Sequence, residues 1–484
     1  MTRRNPGRLV RIALASAVVA AISLASAVPA QAESYVAISG SGSTWSQNAL
    51  DQWRRNVANN YGMTVNFSGT GSSAGRSDFI KGTVDFAVSE IPFQSAPEDG
   101  SAPEVPPRGY AYLPIVAGGT AFMYNLKISG KRVTDLQLSG EVISKIFTGQ
   151  ITNWNDGAIA ALNPGLTLPS RAITPVVRSD GSGSTAQFTK WMSTQYPSIW
   201  TTGMTSQFPA SRVPGSKAQS GSLGVSGYVK QDYGEGAITY VEYSYAMNAG
   251  FPVAKVQNAS GAYVEPSAVN VETALTHARI NTDLTQILDD VYTSPEGNAY
   301  PVSSYSYMIV PTEVGGTFST TKGYTLGEFI KYVVCDGQKQ AGTLGYSPLP
   351  MNLVQAAYDQ IKKIPGANVG AFDPSTCSNR GAAAEGQGGS SGGGANSGGD
   401  AAATDAQAAA AATADAAATG TDPVYDANGN LISGSASGGA AVSSPFTLAS
   451  SSWGPAQTGM LVAGVLLLGA VAVPPLLLGA RRRP

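Results

Sequence analysis

The chain has 484 residues, a formal net charge of −2 and only 13% charged residues. That length allows more than one domain. The body of the chain carries no Lys/Arg stripe of the kind that neutralises a phosphate backbone, which excludes nucleic acid as a partner; the dense basic clusters sit at the two ends.

At the N-terminus MTRRNPGRLVR leads into the apolar run IALASAVVAAISLASAV and then PAQA, ending at Ala32. A charged segment, an apolar stretch and a small-x-small cleavage site predict a signal peptide over 1–32 and an exported chain beginning at Glu33. The run is short for a first membrane span, and no cysteine lies near the cleavage point to take a lipid.

From there to about residue 378, short apolar strand candidates alternate with helical patterns. TVNFSG, VDFAVS, YLPIVAGGTAFMYN, ITPVVRS, GAITYVEYSY and SYSYMIVP read as strands. ALDQWRRNVANNY, GEVISKIFTG, AQFTKWMSTQY, VETALTHARINTDLTQILDDVY and TLGEFIKYVVC read as helices. The alternation predicts an α/β fold with largely parallel sheets. Residues 33–378 are enough for two lobes.

Three loops share one chemistry. SGSGSTWSQNALDQWRRNV places Ser43, Thr44 and Trp45 before a helix, SGTGSSAGRSDFIKG places Ser72 and Ser73 before another, and RSDGSGSTAQFTKWMS places Ser182, Gly183 and Ser184 before a third. Each offers backbone N–H groups and hydroxyls at the positive end of a helix dipole, with glycine allowing close approach: an anion site. Taken singly, any one of them is also a plain N-cap and turn. In the third loop Arg178 adds a guanidinium fork suited to a tetrahedral oxyanion, and Asp180 is placed to hold that fork; a surface ion pair is the bland alternative.

The two cysteines, Cys335 and Cys377, point to a disulfide in an oxidising exterior rather than to zinc, for which the single histidine, His277, supplies too few further ligands. Residues 379–457 are rich in Gly, Ala, Ser and Asp and read as a disordered linker, since they cannot bury enough apolar surface to offset chain entropy. Residues 458–480 contain the uncharged run GMLVAGVLLLGAVAVPPLLLGA, long enough as a helix to cross a hydrocarbon core of about 30 Å. The tail at 481–484 is basic, which keeps it in the cytoplasm and the rest outside. A retained anchor is expected, because no LPxTG-type sorting motif precedes the span.

GSGSTW, SGTGSSAG…GTVDFAVSEIP, WNDGAIAALNPGLTLP, VVRSDGSGST and GAITYVEYSYA occur in the order and approximate spacing of the phosphate-binding proteins of bacterial phosphate-specific ABC transporters. The resemblance runs over about residues 36–375. It implies a two-lobed periplasmic-binding-protein fold of the type with two chain crossovers, with lobe 1 at about 35–118 plus 300–377 and lobe 2 at about 119–299. It also implies inorganic phosphate held between the lobes by Thr44, Trp45 (through its backbone N–H), Ser72, Arg178, Ser182, Gly183 and Ser184. A monomer that needs no cofactor and delivers phosphate to a membrane permease follows from the same likeness.

One position departs from the family. Where it carries an aspartate, this chain has Ser89-Glu90-Ile91-Pro92. An ionised carboxylate can only accept, so Glu90 is expected to take the hydrogen bond from a protonated phosphate oxygen and to repel sulfate, which has no proton to offer.

Other readings compete. Gly71-Ser72-Ser73-Ala74-Gly75 matches the G-x-S-x-G of hydrolases, but His277 is read as a helix residue with no acid tied to it. No phosphate-binding G-x-x-x-x-G-K-[ST] loop is present. Tyr240, Tyr243, Tyr245, Tyr305 and Tyr307 could form a sugar-stacking surface, although alternating strand aromatics usually pack. A receptor for another tetrahedral oxyanion is also open.

Overall fold

The computed structural model describes residues 35–375, Cys377 and the strand segments Val424–Tyr425 and Leu431–Ser433. Residues 35–377 belong to one compact unit; the two later segments pair antiparallel in a second, where the composition had predicted no structure. The expected signal peptide, the rest of the linker and the span lie outside the described residues. Among the described residues no helix is long and apolar enough to cross a membrane.

An eight-stranded sheet organises the first unit. Its strands are β1 Ile38–Gly42, β2 Val65–Ser68, β3 Phe86–Ser89, β4 Tyr110–Tyr124, β5 Thr174–Arg178, β6 Lys217–Gln219, β7 Ala237–Glu242 and β8 Ser303–Pro311, in the order β2-β1-β3-β8-β4-β7-β5-β6. The pairs at both ends are parallel, as the alternation with helices predicts, but β8 runs antiparallel to β3 and β4, and β4 antiparallel to β7. The expectation of largely parallel sheets is therefore corrected: the centre is made by two long strands running in opposite directions, and antiparallel neighbours need no helical crossover.

β4 is buried from Ala111 onward and changes partner along its length. Tyr110–Gly119 pairs with β8, the last register pair being Ser303 with Gly119; from Thr120 it pairs with β7, beginning with Glu242. One strand thus joins the β1–β3 half of the sheet to the β5–β7 half.

Helices follow the loops read from the sequence. In α1 (Gln47–Tyr61) Ala49, Leu50, Trp53 and Val57 form the buried stripe, and Gly62 ends it in a left-handed conformation with its N–H on the Ala58 carbonyl. α2 (Ser72–Lys81) follows the second loop and α3 (Gly183–Gln195) the third. α4 (Gly221–Lys230) packs against β7 and β5. Phe188 of α3 lies 4.9 Å from the Tyr240 ring of β7 and 5.0 Å from Phe147. That cluster fixes the loop between β5 and α3.

Two further expectations change. The helix read over VETALTHARINTDLTQILDDVY is Ala268–Leu275 only, followed by the pair Arg279–Ile280 and Gln286–Ile287 and a single turn at Asp289–Tyr292. Asp283 Oδ1 accepts from both the N–H and the hydroxyl of Thr285, and Asn281 Nδ2 donates to Thr285 Oγ1; short polar side chains have captured the backbone and opened a turn. His277 consequently sits in a turn, not a helix. In GAITYVEYSY the strand stops at Glu242, whose carboxylate accepts from Ser244 N–H and caps the helix Tyr243–Ala249. Tyr240, Tyr245, Tyr305 and Tyr307 are buried, so they form no stacking surface.

Cys335 and Cys377 are joined by a disulfide across a sequence separation of 42, tying the segment after the last helix to the end of Thr320–Val334. Closing a loop of that length should stabilise the fold by up to about 4 kcal/mol in the chain-entropy account. Urea unfolding with and without reductant is expected to show a lower midpoint for the reduced protein; coincident curves would show that the bond adds nothing.

Candidate functional site

The three loops converge. The second and third press together so closely that two glycines are required where they meet. Gly71 has φ +91, and a β-carbon there would lie 2.6 Å from Asp180 Oδ2 and 2.8 Å from the Gly181 carbonyl oxygen. A β-carbon on Gly183 would overlap Glu90 Oε2. Ser73 N–H donates to the Gly181 carbonyl at 3.1 Å, and Gly183 N–H donates to Ser72 Oγ at 3.0 Å.

Around Arg178 the site is a set of donors. Arg178 is 3% exposed, at the end of β5, and Asp180 holds its guanidinium by two bonds: Nε donates to Oδ1 at 2.7 Å and Nη2 to Oδ2. Burial alone would raise the Asp180 pKa, but the Arg178 bond and charge and the Gly221 N–H outweigh it and hold the carboxyl below its ordinary value. Thr44, from the first loop, has its Oγ1 2.8 Å from Ser222 Oγ, and Arg178 Nη1 reaches the same Ser222 oxygen at 3.4 Å. Ser182 caps α3 by accepting from Thr185 N–H. Next to it, the Ser184 hydroxyl is buried without a hydrogen-bond partner among the described residues, an orphaned donor of the kind a bound oxyanion would satisfy.

At Glu90 the site turns into an acceptor. The residue is fully buried just beyond β3. Ser72 Oγ donates to Oε2 at 2.8 Å and Ser306 Oγ to Oε1 at 2.9 Å, while Gln187 and Gln286 hold its carbonyl at 2.7 and 3.2 Å. Burial pushes the carboxyl above the ordinary range, against the pull of bonds from Ser43, Ser72 and Ser306.

All eight residues expected from the sequence lie on these loops or on the Glu90 turn. The Trp45 backbone N–H donates to Ser43 Oγ at 2.9 Å, and its indole Nε1 bonds Thr120 Oγ1 at the point where β4 changes partner. Ser43 lies in the first loop as read, and Gln187 in the helical stretch after the third, but neither was singled out as a site residue; Ser222, Ser306 and Gln286 are ordinary polar residues in no motif. Arg76 was also missed: it is buried, bonds Ser89 Oγ at 2.9 Å beside the Glu90 turn, and is neutralised by Glu104 at 2.7 Å. Among the described residues no group of three or more His, Cys, Asp or Glu could hold a metal.

An α/β sheet with two long central strands and a buried polar site between its halves is the architecture of a periplasmic binding protein. The family model described as "PBP superfamily domain" matches residues 27–337. The chain is 32% identical over 320 residues to the phosphate-binding protein PstS of Xylella fastidiosa (strain Temecula1), covering 66% of this chain and 83% of that one. To the PstS of Pasteurella multocida it is 31% identical over 327 residues, covering 67% and 90%. It belongs to the PstS family of phosphate-binding proteins. The fold is shared with the periplasmic phosphate-binding protein PfluDING, solved with phosphate bound, at a TM-score of 0.52 and 18% identity over 70% of this chain and 100% of that one. A family of transport receptors sets aside the hydrolase reading of 71–75.

Glu90 and the fully buried Glu242, whose pKa burial raises well above the usual range, give the stability a pH dependence of definite sign. A carboxyl with a raised pKa binds more protons folded than unfolded, so stability is greatest below the ordinary carboxylate range and falls as pH rises through the folded value. Melting temperatures measured without ligand at about pH 5 and about pH 8 are expected to differ less in Glu90→Gln than in the unsubstituted chain. An unchanged difference would show that Glu90 does not titrate in that window.

Proposed function

We propose that the chain is an exported receptor that binds one inorganic phosphate between the two halves of the sheet and passes it to an ABC-type permease, without chemical change. The halves act as lobes on either side of the β4 partner change, at about 119, and close by a hinge motion. The observation that carries this reading is a buried site with opposite polarity at its two ends: Arg178 and the hydroxyls of Thr44 and Ser184 donate, and Glu90 accepts. Unlike sulfate, phosphate at neutral pH brings both bare oxygens and a proton, so the two ends give it one orientation.

Glutamate in place of the family's aspartate extends the acceptor by one methylene. Ser72 and Ser306 clamp both carboxylate oxygens, which supports its use as an acceptor at a fixed place rather than as a loose surface charge. The names of the relatives and the three loops support phosphate over another oxyanion. The predicted signal peptide and apolar C-terminal run support a receptor tethered outside the membrane by a single span, acting as a monomer beside its permease.

Calorimetry on the full-length chain is expected to show one phosphate bound per chain at micromolar concentrations or below; absence of heat would sink the receptor reading. Arg178→Ala should weaken binding by about 3 kcal/mol, roughly a hundredfold, because a desolvated anion loses its cation. An unchanged dissociation constant would place Arg178 outside the site. Phosphate should bind far more tightly than sulfate, and Glu90→Gln should narrow that gap; equal affinities in the unsubstituted chain would remove the acceptor role.

A further inference from the structure

Ser222 lies in no motif, yet it stands where the donor end of the site is assembled. It is fully buried in the first turn of α4. Its Oγ lies 2.8 Å from Thr44 Oγ1 and 3.4 Å from Arg178 Nη1, and its N–H donates to Thr44 Oγ1 at 3.1 Å. The preceding residue, Gly221, donates its N–H to Asp180 Oδ1 at 2.9 Å. One helix turn therefore touches Arg178, its carboxylate and Thr44. Thr44 follows β1 and Arg178 ends β5, so Ser222 joins residues from the two halves of the sheet.

We propose that Ser222 is a positioning residue for the anion, the link through which closure of the two halves aligns Thr44 with Arg178; this rests on the phosphate-receptor reading above. The donor and acceptor inventory gives the physical reason. Asp180 grips Nε and Nη2, which fixes the plane of the guanidinium and aims Nη1, and Ser222 Oγ accepts from Nη1 where it points. Thr44 Oγ1 accepts the Ser222 N–H, so a lone pair is used and its O–H is set as a donor. Of the two hydroxyls, Thr44 and Ser222, one donates to the other, so the pair keeps a single O–H for the anion beside Arg178 Nη1. The two bonds between Thr44 and Ser222 cross between the halves, so they form only when the loops are together. Ser222 acts on how long the closed state lasts rather than on how the anion first arrives.

The test is stopped-flow and calorimetric titration of the full-length chain with inorganic phosphate, comparing the unsubstituted protein with Ser222→Ala and Ser222→Thr. Ser222→Ala is expected to raise the dissociation rate and the dissociation constant about tenfold, the worth of one lost bond to a charged network. The association rate should stay within about twofold. Ser222→Thr, which keeps the hydroxyl, should restore the slow release, a rescue that simple loss of packing would not give. An unaltered release rate in Ser222→Ala overturns the role of Ser222, as does a threonine variant as fast as the alanine one. Failure of the unsubstituted chain to bind phosphate overturns the receptor reading itself, which is a separate result. Should the alanine variant not fold, the threonine variant decides: slow release supports the role and fast release overturns it.

Discussion

A guanidinium taken out of water is costly unless its charge and its hydrogens are answered, and the site is built around answering those of Arg178. Asp180 takes two of its donors, Gly221 N–H steadies Asp180, and Ser222 meets a third donor. Because Asp180 is only two residues away on a loop with almost no side chains, the pair can sit against the second loop, where Gly71 leaves room for it. Crowding of backbone and the buried charge are one arrangement: a side chain on Gly71 would push Asp180 off the guanidinium, and a loosened Asp180 would leave a bare buried cation.

The same economy appears at the other end. Among the described residues Glu90 has no neutralising cation of its own, and its carboxylate is met by serine hydroxyls from three segments and opposed by desolvation. Arg76, one turn into α2, braces the backbone just before it through Ser89 while Glu104 cancels its charge. The acceptor end is thereby held by hydrogen bonds rather than by an ion pair. A carboxylate already paired with a buried cation would be a weaker acceptor for a proton on an incoming anion.

Much of this was legible before any fold was known. Arg178, Asp180 and the Gly-Ser loops lie within a few residues of each other, so local rules for helix N-termini and charge-assisted bonds were enough to group them. The helices read over AQFTKWMSTQY and ALDQWRRNVANNY were readable for the same reason, and they stand at Gly183–Gln195 and Gln47–Tyr61. What was misread depended on distant partners or on polar side chains that redirect the backbone. The turn at 281–285 defeated a helical periodicity because Asn281, Asp283 and Thr285 bond one another. The antiparallel centre was invisible because alternation of strands and helices says nothing about the direction of β8.

Sequence alone determined the chemistry that could be assembled: three donor loops, one fixed cation with its carboxylate, one glutamate before a proline, and a pair of cysteines. These are local, and local interactions are encoded within a turn or two. Only the tertiary structure decided which hydroxyls complete the site. Ser222 meets Thr44 across a separation of 178 residues, and Ser306 meets Glu90 across 216. Nothing in a lone serine announces such a meeting, because it is set by the register of β8 on β3, by α4 docking on β7, and by the place along β4 where one partner strand gives way to the other.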